Sequence, residues 1–77
     1  MTEREKVLTY LKNWQKEDER EDIEITNAVS VIISTIETNL ITSHYTINKL
    51  IDLMNIWERR KLGNIIDKAY RYAEETN

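Results

Sequence analysis

The chain has 77 residues, of which 40% are hydrophobic and 32% charged, with a formal net charge of −3, no cysteine, no proline and a single glycine. One domain is the ceiling. A chain of this length hides only about 60% of the surface it exposes when unfolded, so its core is thin and a second copy or a partner is a natural source of stability. The lack of Cys excludes a disulfide scaffold, thiolate chemistry and a zinc finger. The lone Gly excludes a phosphate-binding loop, and no apolar run approaches the roughly 20 residues of a membrane span.

Charge is spread unevenly. Residues 1–44 hold 5 basic and 9 acidic groups (−4), and residues 45–77 hold 6 and 5 (+1). That polarity is too weak to steer the chain toward nucleic acid or to mimic it. A charged N-terminus without a signal-like apolar stretch makes the cytoplasm the expected address.

Thr2 and Glu5 stand at capping-box spacing, which predicts a helix over about 3–17. At 100° per residue its apolar stripe is Val7, Leu8, Tyr10, Leu11 and Trp14, while Arg4, Lys12, Asn13 and Lys16 fall largely outside. Glu17 to Asp22 contains no apolar residue and reads as a solvated connection.

Residues 23–41 are ambiguous. Ile23, Ile25, Val29, Val31 and Ile33 alternate like a β-strand. Yet Ile25, Ala28, Val29, Ile32, Ile33, Ile36 and Leu40 share one helical face, the pattern outlasts a typical strand of about six residues, and a lone strand has no ladder partner. A second helix over about 25–41 is therefore expected.

Hydroxyls at Thr42, Ser43 and Thr46 predict a third helix beginning near Thr46 and running to residue 62. Its apolar arc, from Ile47 through Leu50, Ile51, Leu53, Met54, Ile56 and Trp57, is wide enough to make it the central helix or an interface. Arg59-Arg60-Lys61 followed by Gly63 and Asn64 suits a helix end, with a fourth helix over about 64–75. The stripe Ile47, Leu50, Met54, Leu62, Ile65, Ala69, Tyr72 keeps its phase across Gly63, so the last two helices are alternatively one kinked rod. The fold expected is an all-α bundle of three to four antiparallel helices in one domain, 1–77.

No catalytic, cofactor-binding or metal site emerges from the residues. His44 is the only histidine and lacks a visible companion, so it reads as a turn or cap residue. The acidic run has neither the Gly nor the spaced oxygens of a calcium loop. Core packing is the simpler reading of Trp14 and Trp57. Tyr70, Arg71 and Tyr72 form an expected contact surface, since Tyr and Arg are enriched where proteins meet, and Leu53 and Ile56 join them as candidate protein-binding residues.

The leading expectation is a non-enzymatic protein-binding module, a small regulator or inhibitor docking a helical face on another protein or on itself as a homodimer. No small-molecule substrate or membrane partner is expected. Its richness in Ile, Asn, Lys and Glu is similar to that of short reading frames in AT-rich phages, plasmids or bacterial chromosomes. Second in rank is a DNA-binding regulator of helix-turn-helix type, with helices 2 and 3 as the motif, Asn48 and Lys49 in the groove and Arg59, Arg60 and Lys61 on phosphates. A structural assembly subunit is the third reading.

Overall fold

A computed structural model describes residues 2–17, 23–38 and 43–75. These form an all-α bundle of four helices, α1 (Glu3–Glu17), α2 (Ile23–Thr38), α3 (His44–Ile51) and α4 (Ile56–Glu75), and no strand occurs among the described residues. The expected solvated connection at 18–22, and Leu40 and Ile41 at the end of the second helix, lie outside the described residues.

α1 starts where the capping box requires. The Thr2 hydroxyl accepts from the Glu5 backbone N–H at 3.2 Å, and the Glu5 carboxylate accepts from the Thr2 N–H at 3.4 Å. Val7 and Leu11 are buried, with Leu8, Tyr10 and Trp14 packed partly against them. Arg4, off the apolar stripe, reaches across to α2, where Nε and Nη2 donate to the carbonyls of Ile36 and Glu37 at 3.0 and 2.9 Å. Those carbonyls belong to the last turn of α2, which has no intrahelical donors for them, so Arg4 closes that helix end with a cation.

The helical face of α2 is realised in full over its described part: Ile25, Ala28, Val29, Ile32, Ile33 and Ile36 are buried. Ile23 and Val31, which a strand would have placed beside Ile25 and Ile33, face solvent instead. α2 begins at Ile23 rather than at 25, with Glu24 in the first turn, where negative charge meets the free N–H groups. Gln15, near the end of α1, donates to the Thr26 carbonyl at 3.1 Å and to the Ser30 hydroxyl. With Arg4 at the other end of the pair, α1 and α2 run antiparallel.

The second half departs from the expected boundaries. α3 is short: Ser43, not Thr46, is its cap, accepting from the Thr46 N–H at 3.2 Å, and the helix ends at Ile51 instead of 62. The chain turns at Asp52–Asn55, not at Gly63, and α4 runs unbroken through Gly63, which has no positive φ. The reason lies in Asn55 and Glu58. The Asn55 side-chain oxygen accepts from the Glu58 N–H at 2.8 Å, an N-cap, while its side-chain amide donates to the Glu58 carboxylate.

α4, rather than the third helix, is central, since each of the other three helices packs on it. Its buried line of Leu62, Ile66, Ala69, Tyr70 and Ala73 meets Ile47 and Ile51 of α3 in one core with α1 and α2. Small Ala69 and Ala73 let neighbouring helices approach closely at these levels. The radius of gyration, 11.6 Å, is that of a close-packed chain of this length, about 11.5 Å.

Candidate docking face at the α3–α4 turn

Two tight bonds form the turn: Leu53 N–H donates to the Leu50 carbonyl at 3.2 Å and Met54 N–H to that of Ile51 at 3.0 Å. They send Met54 toward the core and Leu53 out. Leu53 is 85% exposed, and Ile56 and Trp57 in the first turn of α4 are 61% and 50% exposed. Three large apolar side chains within five residues thus stand at one end of the molecule. The expected core position of Trp57 is not realised, because the buried line of α4 begins only at Leu62, more than a turn further on. Instead the Lys61 ammonium lies 4.2 Å from the Trp57 ring centroid, a cation–π contact at i, i+4.

Cations rim this face. Arg59, Arg60 and Lys61 occupy the first two turns of α4, not the end of a helix as the sequence suggested, so the helix dipole opposes them rather than welcoming them. Among the described residues neither arginine makes an ion pair. Exposed Asn48 and Lys49 lie on α3, with the Lys49 ammonium 5.2 Å over the Tyr45 ring. Residues 48–61 hold four cations (Lys49, Arg59, Arg60, Lys61) and two carboxylates (Asp52, Glu58), a balance of +2.

Among the described residues α2 packs mainly on α1 and α4, α3 packs mainly on α4, and a tight turn joins α3 to α4.

The expected surface of Tyr70, Arg71 and Tyr72 is divided. Tyr70 is buried, only 5% exposed, while Arg71 and Tyr72 face outward. Tyr70 supports the far end of the α3–α4 hairpin: the His44 ring stacks on it at 4.4 Å and 10°, and His44 Nε2 lies 2.8 Å from Asp67 Oδ1. His44 at one end of α3 facing Asp67 and Tyr70 late in α4 makes these helices antiparallel. Burial, and secondarily the negative charge of Glu3, pushes the Tyr70 hydroxyl up to about 12. His44 therefore has companions that its sequence neighbours did not reveal. They lie 23 and 26 residues away and are brought in by the hairpin, and no motif spacing signals such a contact. An imidazole held by a carboxylate is half of a general-base arrangement, and the cleft it lines with Asp67, Arg71 and Glu74 also includes the Tyr70 phenol, whose proton is held tightly by burial. Among the described residues no three His, Cys, Asp or Glu side chains gather as metal ligands.

On another side, Tyr72 meets Tyr10 of α1 with ring centroids 5.7 Å apart and planes tilted by 39°. The two rings, with Trp14, Asn13 and Glu17, line a cleft of about 220 Å³.

No family model, curated protein or solved structure matches this chain. No helix among the described residues is long and apolar enough to cross a membrane.

Proposed function

We propose that this chain is a non-enzymatic protein-binding module, a small regulator or inhibitor, that docks through Leu53, Ile56 and Trp57 and pairs with a second copy of itself through them. One observation carries this reading: three large apolar side chains are exposed together at a turn whose geometry is set by Asn55 and does not need them. Full burial of each is worth about 1.5–3 kcal/mol, and two-fold pairing uses the same patch twice, which brings the gain into the range of the roughly 4–15 kcal/mol cost of association. A partner offering only polar surface gains half of that. The mixed charges suit a two-fold contact, with Arg59 or Arg60 of one copy facing Asp52 of the other, although the +2 balance opposes it mildly. Composition and the lack of Cys fit a cytoplasmic role in a phage, plasmid or bacterial setting.

Ile56→Glu tests the proposal. The reading expects loss of association with helicity retained, since Ile56 lies outside the core. Unfolding of this variant would place Ile56 in the core and remove the proposal's basis.

DNA binding stays as the second reading on a specific observation: Arg59 and Arg60 stand in the first two turns of α4, whose dipole opposes them, with no ion pair among the described residues. Salt separates the readings. Screening relieves repulsion between two +2 faces and tightens a homodimer, whereas counterion release makes duplex binding weaken as salt rises. Loss of duplex binding on replacing Arg59, Arg60 and Lys61 with Ala would support the second reading.

A further inference from the structure

We propose that the cleft lined by Tyr10, Trp14 and Tyr72 binds a methylated or quaternary ammonium cation. Tyr10 and Trp14 lie one turn apart on α1 and so share a face, and α4 brings Tyr72 against Tyr10 from the other side. The two tyrosine rings, tilted by 39° with centroids 5.7 Å apart, pack on each other and line the cleft together with Trp14. Aromatic faces carry the negative lobe of the ring quadrupole, and several around one cavity attract a cation.

The rest of the lining agrees in sign. Glu17 supplies a carboxylate, Asn13 a neutral amide, and among the described residues no Lys or Arg lines the cleft. The nearby Lys12 is engaged with Glu37 at 3.4 Å. Two sources of negative potential, the ring faces and the Glu17 carboxylate, therefore meet in one cleft.

The nature of the cation follows from hydration. A bare ammonium is compact and strongly hydrated, and the ring faces offer no hydrogen-bond acceptors to replace the water it would lose against them. Methyl groups spread the charge, weaken hydration and make apolar contact with those faces, so the aromatic part of the lining favours a methylated ammonium over a bare one. A trimethylammonium head group or a methylated lysine side chain has this chemistry.

Trp14 reports on the cleft directly. In a Trp57→Phe background, where Trp14 is the remaining tryptophan, its fluorescence is titrated with choline, with ammonium and with the uncharged carbon analogue of choline, at constant ionic strength. The expected result is a saturable change with choline, at least about tenfold weaker binding of the other two, and about threefold or greater weakening by Glu17→Gln, an exposed change that leaves the core untouched. Tyr72→Ala, checked for retained helicity by circular dichroism, abolishes the response. Equal binding of the uncharged analogue, or no saturable change with choline, overturns the proposal.

Discussion

The Asn55 side-chain oxygen accepts from the backbone N–H of Glu58 at 2.8 Å, and this bond sets where the second half of the chain turns. Because it caps α4 at Ile56, α3 stops at Ile51 and Leu53, Ile56 and Trp57 are left on the outside of the turn. Asn55→Ala is expected to destabilise the fold by about 1 kcal/mol, as loss of an N-cap does, and Asn55→Asp to retain most of the stability. Urea denaturation followed by circular dichroism checks both.

Gly63 occupies the middle of α4 without a positive φ, and a Cβ built there meets nothing within 4 Å. Gly63→Ala is therefore expected to stabilise the protein by about 1 kcal/mol, through the helix propensity of Ala and the reduced freedom of the unfolded chain. Destabilisation on thermal melting would mean that the chain breaks at Gly63 after all.

Arg4 closes the last turn of α2 with two hydrogen bonds. Arg4→Met keeps the aliphatic stem and removes the donors, leaving the Ile36 carbonyl, whose bond is partly buried, without one, whereas the Glu37 carbonyl is exposed to water. The expected loss is about 1–2 kcal/mol by chemical denaturation, more than Lys12→Met, whose ion pair with Glu37 is exposed.

Tyr70 titrates near 12 in the folded chain, against 10.0 for the free group, because burial disfavours its charged form. The folded state thus holds this proton more tightly than the unfolded state does. The resulting stability is fully present below pH 10 and is lost as pH rises from 10 toward about 12. Tyr70→Phe has no such proton and is expected to flatten the alkaline limb of the stability profile. Ultraviolet titration of the phenolates reads the shift directly. His44→Ala, which removes the ring stacked on Tyr70, is expected to cost about 1 kcal/mol.

Much of the bundle was legible in local pattern. The Thr2–Glu5 box and the α1 stripe fixed the first helix, and the length of the α2 face outweighed its strand-like alternation, since helical periodicity over four turns leaves little room for another burial scheme. The α3–α4 turn was not legible in the same way. Gly63 and the preceding cations form a strong helix-stop pattern, while the Asn55 cap sits among apolar residues whose helical spacing masks it. Misplacing that turn also misplaced Trp57 and the basic cluster, which stand in the first turns of α4 and not at the end of a helix, whereas Leu62 and Ala69 of the expected stripe are buried. Ile56 was recognisable as lying off the main stripe, and it is exposed, as is Leu53. The clustering of His44 with Asp67 and Tyr70, and of Tyr10 with Tyr72, depends on helix pairing, which sequence periodicity does not encode.

The central claim, that the Leu53–Ile56–Trp57 end is an interface, is tested most directly by the solution mass from light scattering over a concentration series at low and high salt, for the parent chain and for Ile56→Glu. The account predicts that the parent rises from the monomer mass of 9.2 kDa toward twice that value, more readily at high salt, while Ile56→Glu stays at 9.2 kDa with unchanged helicity. A parent chain that stays at the monomer mass throughout, or an Ile56→Glu variant that pairs as the parent does, would contradict it.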